Sequence, residues 1–265
     1  MPRIWVNPRR RGADHLDHSH RDRPACPVPE DNLNVTLEPQ VTSQDQPATR
    51  RGRPTRTVLR ALAVAAALIL TGNLAILAAS MVAQGSTAKA RIHEIPGIDH
   101  LEAVDGKLWR GGAPSNEGYR GLAGAGVTTI VDLRAEEGIE PDLAYARSLG
   151  IEVVHIPIRD GQTPTADQVE AFMRATERSP GPVFVHCGAG VGRTGTMVGA
   201  YVVSTGELNG RGAVRRNLAV GPPSLEQIVF VTKMERGEID RPGVAVQALS
   251  RVLDGPRRIW HRLGL

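Results

Sequence analysis

Cysteine and lysine are both scarce in this sequence of 265 residues, where only Cys26 and Cys187 are cysteines. These two lie far apart, and Cys187 falls in a stretch with the pattern of a buried strand, so no structural disulfide is expected. The lysines are Lys89, Lys107 and Lys233, whereas arginine is abundant, a usage typical of GC-rich bacterial genomes. The formal net charge of +4 comes largely from the first third of the chain. The basic character therefore does not predict nucleic-acid binding.

The first 56 residues lack any sustained apolar periodicity. They are rich in Pro, Arg, Asp, Gln and Asn and cannot bury enough apolar surface to offset chain entropy, which predicts a disordered tail. Within the tail, DHLDHSHRDR (residues 14–23) contains side chains that bind metals elsewhere but has no regular scaffold. We therefore interpret it as a solvated polar segment rather than a metal site.

Charge is absent from residues 61–83, ALAVAAALILTGNLAILAASMVA. A helix of this length crosses the roughly 30 Å hydrocarbon core of a bilayer, so the sequence predicts a transmembrane helix over residues 57–84 and a linker over 85–95. The alternatives are a buried helix or a cleaved signal peptide, whose apolar region is usually shorter and nearer the chain start. Arginines cluster before the segment and are few after it. The positive-inside rule therefore predicts a cytoplasmic tail and an extracytoplasmic domain after residue 84.

Strand and helix patterns alternate from residue 96 to 240. HLEAVDGKLWRGG predicts a hairpin, and VTTIVDLR, IEVVHIPI and PVFVHC predict buried strands separated by amphipathic helices. Further helices are predicted at 193–205, 210–219 and 223–236. This alternation predicts one α/β domain with a mostly parallel central sheet flanked by helices. Residues 241–265 are predicted to form a carboxyl-terminal extension, either a frayed helix or an amphipathic segment on a membrane surface.

One glycine-rich stretch, HCGAGVGRTG (residues 186–195), follows the last predicted strand and enters a helix. Open α/β sheets bind ligands at this edge, and a helix amino terminus favours an anion. The glycines are expected to let the backbone curl, so that successive N–H groups point inward around a tetrahedral oxyanion. The guanidinium that follows would add a fork of donors. The predicted phosphate-binding residues are Gly188, Ala189, Gly190, Val191, Gly192 and Arg193.

The same surroundings act on the thiol of Cys187. The backbone N–H groups, the helix dipole and Arg193 all favour the thiolate over the thiol. A thiolate beneath a bound phosphate is a nucleophile directed at phosphorus. The loop is not an ATP-binding Walker loop, since that motif ends in Gly-Lys-Ser/Thr. The predicted chemistry requires no metal ion and no other cofactor.

Residues 186–194 resemble the signature of the cysteine-dependent protein tyrosine phosphatases, which is His-Cys, five residues, Arg and then Ser or Thr. LWRGGAPS and VTTIVDLR are similar to the small dual-specificity branch, and the Trp-Pro-Asp loop of the large enzymes is missing. The resemblance covers about residues 95–236. It implies that Cys187 is the nucleophile, that Thr194 assists departure of the thiolate, and that His186 supports the loop backbone.

Members of this family need a general acid on a loop before the signature strand, because the leaving oxygen must be protonated and a water later deprotonated. Asp160, in PIRDGQTP directly after a predicted strand, is the predicted acid; its structural alternative is a turn or cap aspartate. Asp132, at a strand end, and Asp167, in the first turn of a helix, are less apt. Arg110 and Arg134 are expected to make ion pairs or hydrogen bonds within the fold.

These features predict a phosphomonoester hydrolase that acts on phosphoproteins, on phosphotyrosine and also phosphoserine or phosphothreonine, through a phosphocysteine intermediate. Lipid phosphatases of the family commonly carry lysines where Ala189 and Val191 stand, which disfavours highly phosphorylated inositides. The predicted extracytoplasmic position leaves a phospholipid or a small phosphomonoester as an alternative substrate. A rhodanese-type sulfurtransferase and an inactive phosphate-binding module stay open as other classes. The expected partners are a phosphorylated protein or phospholipid and, through residues 61–83, a membrane; nucleic acid is not expected.

Overall fold

The structure, a computed structural model, describes residues 55–86 and 94–262, and the side chains of these residues except for 86 and 256–262. Nearly all of the predicted tail, including the His-rich stretch, and most of the predicted linker lie outside these ranges. Within them the chain contains eight helices and five strands. The elements are α1 Arg56–Ser86, β1 Glu102–Ala103, β2 Leu108–Gly111, α2 Asn116–Gly124, β3 Thr129–Arg134, α3 Glu140–Ser148, β4 Glu152–Ile158, α4 Ala166–Arg178, β5 Val183–His186, α5 Gly192–Ser204, α6 Gly210–Val220, α7 Leu225–Met234 and α8 Val244–Arg262.

The five strands form a single sheet in the order β1-β2-β5-β3-β4. The β1–β2 pair is antiparallel, and the three other pairs are parallel. The predicted α/β fold with a mostly parallel sheet is therefore confirmed. In register, His186 at the end of β5 pairs with Gly111 of β2 on one side and with Asp132 of β3 on the other. The carboxyl ends of these three strands consequently meet at one edge of the sheet.

Helices cover both faces of the sheet, as predicted. Neighbouring strand residues belong to different core clusters, since Val131 and Val185 face one cluster while Ile130 and Phe184 face the other. This follows from the alternation of side chains along a strand and from the β-branched and apolar composition of strands buried on both faces. The first cluster includes Phe172 of α4, Met197 of α5 and Phe230 of α7; the second includes Tyr119 and Leu122 of α2 and Ala146 of α3.

Helix α1 covers the predicted transmembrane segment and exceeds its bounds by one residue before and two after. Among the described helices it is the one long and apolar enough to cross a membrane. Most of its surface is exposed, but Ser80 and Ala83 are buried. The hydroxyl of Ser80 donates to the carbonyl of Leu218 in α6 at 2.6 Å, and the amide of Asn73 donates to the carbonyl of Leu253 in α8 at 3.0 Å. One face of α1 therefore contacts the domain.

Helix α8 lies in the predicted carboxyl-terminal extension and packs on α7. The backbone N–H of Glu226 donates to the hydroxyl of Ser250 at 3.1 Å, and Ser250 in turn donates to Asp254 at 3.2 Å. Ser250, Leu253 and Asp254 are all buried. The first half of the extension is thus packed against the domain rather than frayed.

Candidate active site

Cys187 follows β5 directly and is 3% exposed, at the start of a loop that we call the phosphate loop, residues 187–193. Of the three predicted loop glycines, only Gly190 has a positive φ, at 75°. A Cβ on Gly190 would also lie 2.4 Å from the carbonyl carbon of Gly111, so backbone conformation and close packing both require glycine there. A Cβ on Gly192 would lie 2.9 Å from the Gln227 side chain, whereas one on Gly188 would have its nearest contact at 3.8 Å. Gly188 is therefore not needed for the curve of the loop.

The backbone of the phosphate loop has the polarity of an anion site. Helix α5 begins at Gly192, so the loop runs into a helix amino terminus, where N–H groups lack intrahelical acceptors. No hydrogen bond joins the N–H groups of residues 188–191 to another part of the chain that the structure describes. These donors are available to a tetrahedral oxyanion.

Arg193, the last residue of the phosphate loop, is almost fully buried and forms a two-pronged ion pair with Glu136. Its two terminal nitrogens each lie 2.8 Å from a Glu136 oxygen, and Nη1 also donates to the carbonyl of Ile158 at 3.1 Å. Burial alone would lower the pKa of the guanidinium, but the hydrogen bonds to Glu136 outweigh it and raise that pKa. Burial would raise the pKa of the Glu136 carboxyl, but the hydrogen bond and the positive charge of Arg193 lower it. Both groups are therefore charged at neutral pH.

Glu136 was not singled out in the sequence. It follows β3 in the stretch LRAEEG, and the carboxyl end of β3 lies beside that of β5. A carboxylate just past a buried parallel strand lies at the ligand-binding edge of an open sheet. This position in the sequence is the signal from which Glu136 could have been predicted as a site residue. Its partner could not be read from the sequence, because 57 residues separate it from Arg193.

Asp160, the predicted acid, lies in the loop after β4, which we call the acid loop, residues 159–164. Its side chain is 69% exposed, and its Oδ1 lies 3.5 Å from Nη2 of Arg193. The loops after β3, β4 and β5 thus bring Glu136, Asp160 and Cys187 to one edge of the sheet. Arg193 lies at the same edge, beside Glu136 and Asp160. Phosphoryl transfer to sulfur would require a nucleophile, an anion-binding group and a proton donor, the roles predicted for Cys187, Arg193 and Asp160.

The acid loop is attached to the amino terminus of α7 behind Asp160. Ser224 donates to the carbonyl of Gly161 at 3.1 Å, and Gln227 donates to the carbonyl of Gln162 at 3.3 Å. The hydroxyl of Thr163, which is fully buried, donates to Glu226 at 3.1 Å. An exposed carboxylate is therefore carried on a loop whose following residues are held in place.

Two residues implied by the family resemblance lie under the loop. Thr194 is fully buried, and its hydroxyl has no hydrogen-bond partner among the residues described, so its role toward the sulfur stays a prediction. His186 is fully buried, stacks on Phe184 at 5.6 Å between ring centroids, and its Nδ1 lies 3.2 Å from the carbonyl of Cys187. Burial lowers the pKa of His186, so the ring is neutral at physiological pH and supports the backbone without adding charge.

The other two aspartates considered from the sequence have structural surroundings. Burial would raise the pKa of Asp132, but the hydrogen bonds and the positive charge of Arg134 hold it below its usual value. Arg134 lies 2.8 Å from Asp132 and 2.9 Å from Asp142, which confirms its predicted ion pairing. Asp167 lies in the first turn of α4, where a carboxylate suits the helix dipole.

Residues 91–233, more than half of the chain, match the family described as PTP-NADK, a DSP-PTPase phosphatase fused to NAD+ kinase. The match includes the complete phosphate loop and the acid loop. The chain belongs to this family of phosphatase domains, and the resemblance to the cysteine-dependent phosphatases stated from the sequence is confirmed.

Individual relatives match shorter stretches. The chain is 40% identical over 110 residues to the probable NAD kinase 2, chloroplastic, of Oryza sativa subsp. japonica. This match covers 39% of this chain and 11% of that protein. It is 41% identical over 54 residues to the dual specificity protein phosphatase CDC14A of Homo sapiens, covering 20% of this chain and 9% of that one. The chain thus spans about a tenth of the length of these curated relatives. The crystal structure of Tk-PTP in the active form is 24% identical with a TM-score of 0.47, and the match covers 55% of this chain and 100% of that chain.

Proposed function

We propose that this phosphatase domain hydrolyses phosphomonoesters on phosphorylated proteins through a phosphocysteine intermediate on Cys187. The observation that carries the proposal is the convergence of Cys187, Arg193 and Asp160 around a loop of unpaired N–H groups. A sulfurtransferase would need the anion-binding loop and the cysteine, but it would have no use for an aspartate beside the anion. An inactive binding module would have no use for the cysteine.

Binding of the phosphate depends on donors that the protein leaves available. The Nε of Arg193 is buried and has no hydrogen-bond partner among the residues described, whereas its two terminal nitrogens are held by Glu136. The ion pair therefore fixes the plane of the guanidinium and leaves Nε directed to another acceptor. Together with the loop N–H groups, Nε gives the bound phosphate charge-assisted hydrogen bonds.

The reaction proceeds in two displacements. The thiolate of Cys187 attacks phosphorus, the bond from phosphorus to the substrate oxygen breaks with its electron pair, and the protonated Asp160 gives its proton to that oxygen. The Asp160 carboxylate then takes a proton from water as the water oxygen attacks phosphorus. The bond from sulfur to phosphorus breaks, and its electron pair returns to Cys187, assisted by the hydroxyl of Thr194.

The test is hydrolysis of para-nitrophenyl phosphate by the full chain in detergent, compared with Cys187→Ser. We expect turnover to fall to the uncatalysed rate in the variant while the domain stays folded by circular dichroism. Normal turnover in Cys187→Ser would overturn the mechanism. A folded, inactive wild-type chain that forms a persulfide from thiosulfate would indicate the sulfurtransferase instead, and one that only binds phosphate would indicate the binding module.

The substrate class is tested on a panel of phosphotyrosine, phosphoserine and phosphothreonine peptides and phospholipid vesicles. A protein substrate is supported by Ala189 and Val191 in the loop, which add no charge for a second phosphate group. The exposed apolar surface of α1 favours a phospholipid as the second candidate, because a bilayer beside the domain would present headgroups to it. If the phospholipids were hydrolysed and none of the phosphopeptides were, the substrate would be a phospholipid.

We also propose that α1 anchors the chain in a membrane, with the amino terminus in the cytoplasm and the phosphatase domain outside. The exposed apolar side chains of α1 and the arginines before it support this arrangement. In the Cys187→Ser background, Cys26 is the sole cysteine. A membrane-impermeant maleimide should then label Cys26 only after permeabilisation of cells, and a Cys26→Ser, Ser86→Cys version should be labelled in intact cells. Extraction of the chain from membranes by carbonate would instead favour an α1 that packs along the domain through Asn73 and Ser80.

A further inference from the structure

Three consecutive carbonyls of the phosphate loop are hydrogen-bonded on the outer side of the loop by one segment, residues 100–113. The donors lie at the end of β2 and in the residues on either side of the β1–β2 hairpin. The contacts are Ala113 N–H to Gly188 at 2.8 Å, His100 Nδ1 to Ala189 at 2.9 Å and Arg110 Nη2 to Gly190 at 2.7 Å. The segment of residues 100–113 thus holds the phosphate loop in place through hydrogen bonds to the carbonyls of the loop.

Because each peptide of the loop is planar and trans, the direction of a carbonyl fixes the direction of the next N–H group, which is the group that binds an anion. In a trans peptide the N–H points opposite to the carbonyl of the preceding residue. When the carbonyl of Gly190 points outward to Arg110, the N–H of Val191 must point to the inner side of the loop. The same reasoning applies to the N–H groups of Ala189 and Gly190, whose preceding carbonyls are held by the other two contacts.

Among these donors Arg110 is exceptional, because it is an arginine with no exposed surface. The same nitrogen, Nη2, also donates to the side-chain oxygen of Asn217 in α6 at 3.2 Å, so two hydrogen bonds restrain this end of the guanidinium. Its Nε and Nη1 have no hydrogen-bond partner, and no carboxylate lies within ion-pair distance of it, among the residues described. A buried charge without a contact ion pair is unfavourable unless another charge or bound ligand compensates it.

Two negative charges act on Arg110, that of Glu102 and that of the Cys187 thiolate in the phosphate loop. Burial is the main influence and lowers the pKa of Arg110 to about 10. The negative charges of Glu102 and, second, of Cys187 act in the opposite direction, and the positive charge of Arg216 adds to the lowering. Arg110 still carries its proton at neutral pH. A positive charge is therefore buried behind the phosphate loop, in addition to that of Arg193.

We propose that Arg110 is the positioning residue of the phosphate loop, holding the Gly190 carbonyl outward so that the Val191 N–H faces the phosphate. Its buried charge favours the thiolate of Cys187 and the bound phosphate from behind the loop. This role rests on the proposed phosphatase function and assigns anion binding to a residue outside the signature motif. A purely structural Arg110 would join β2 to α6 and affect folding stability alone.

The experiment compares Arg110→Met with Arg216→Met in the full chain carrying Cys26→Ser. Arg216 is the control for loss of a buried arginine, because it donates to the carbonyls of Ala103 and Val104 and pairs with Glu102 and Glu207, but makes no hydrogen bond or ion pair with the described residues of the phosphate loop. Arg110 carries its proton at neutral pH, so loss of the Arg216 charge should leave that of Arg110 in place. Binding of inorganic phosphate is measured by calorimetry, alkylation of Cys187 by iodoacetamide as a function of pH, and stability by thermal unfolding.

Loss of Arg110 should weaken phosphate binding about ten- to a hundredfold, the range expected for losing a hydrogen bond from a charged donor. Alkylation of Cys187 should also shift to higher pH. Arg216→Met should lose thermal stability with wild-type phosphate binding and alkylation. Arg110→Lys keeps the charge but not both hydrogen bonds, so its alkylation profile should stay close to wild type while phosphate binding weakens.

A folded Arg110→Met that binds phosphate and reacts with iodoacetamide as the wild type does would overturn the proposal. If that variant does not fold, Arg110→Lys and Asn217→Ala decide the question, and wild-type phosphate binding in both would overturn it. Failure of the proposed phosphatase function would give a different result: the wild-type chain itself would neither bind phosphate nor hydrolyse para-nitrophenyl phosphate.

Discussion

The phosphate loop and the acid loop face the same site but are held in different ways. In the phosphate loop the predicted nucleophile Cys187 and the predicted phosphate-binding Arg193 are buried, and the backbone is restrained at three carbonyls. In the acid loop the side chain of the predicted acid Asp160 is exposed, and the hydrogen bonds that restrain the loop lie behind it, at Thr163. Charge stabilisation gains from donors fixed before the reaction, whereas a proton donor must reach leaving groups of different shape. In the proposed mechanism, the phosphate loop would determine phosphate binding and the acid loop the release of the alcohol.

The largest effect that separates the two loops is expected from Asp160→Ala. Loss of a general acid lowers turnover by about 10²- to 10⁴-fold, and the loss should grow as the leaving group becomes more basic. Binding of inorganic phosphate should be spared, because the phosphate loop is intact. Steady-state kinetics on aryl phosphates of different leaving-group acidity measure this, with Asp167→Ala as the control. An equal loss for all leaving groups would mean that Asp160 is not the acid.

A methyl group at Gly190 should damage the phosphate loop itself. The positive φ would cost about 1–2 kcal/mol for alanine, and its Cβ would collide with the backbone of Gly111, so the loop must move. We expect Gly190→Ala to lose phosphate affinity and kcat/KM together. Gly188→Ala is the matched control, since a Cβ there meets nothing closer than 3.8 Å. Equal effects of the two substitutions would contradict the backbone argument.

Glu136→Gln should have a smaller effect on catalysis and a pH-dependent effect on stability. Because the pKa of Glu136 is lowered in the folded state, its contribution to stability is present above its ordinary pKa and is lost as pH falls through the lowered value. The melting temperature of the variant should therefore lie below that of the wild type at neutral pH, with the gap closing in acid. A gap that is constant with pH would show that the charge of Glu136 is not involved.

The smallest effect is expected from Thr163→Val, which removes one hydrogen bond behind the acid loop. A neutral donor lost to a buried carboxylate costs about 1.5–3 kcal/mol, and we expect this mainly as lower thermal stability. Turnover should fall by less than in Asp160→Ala and with the same leaving-group dependence. If phosphate affinity fell while the leaving-group dependence stayed wild type, the acid loop would not be the element that Thr163 positions.

Strand order explains which parts of the site could be predicted. Cys187 and Arg193 were predicted because only five residues of one loop separate them, and Asp160 was predicted as the acid because it follows a strand pattern before the signature. Glu136 and the role of Arg110 were not found, since their partners are 57 and 80 residues away along the chain. Those contacts exist because β5 is inserted between β2 and β3, an order that no local pattern contains.

By itself, the sequence determined the α/β elements, the apolar helix and the spacing of nucleophile, glycines and arginine, because periodicity and turn chemistry act over a few residues. The tertiary structure decided which groups hold that loop. It placed Glu136 on Arg193, attached Thr163 to Glu226, and buried Arg110 behind Gly190. The physical reason is that burial and ion pairing depend on distances in space, which are set when the strands assemble into the sheet.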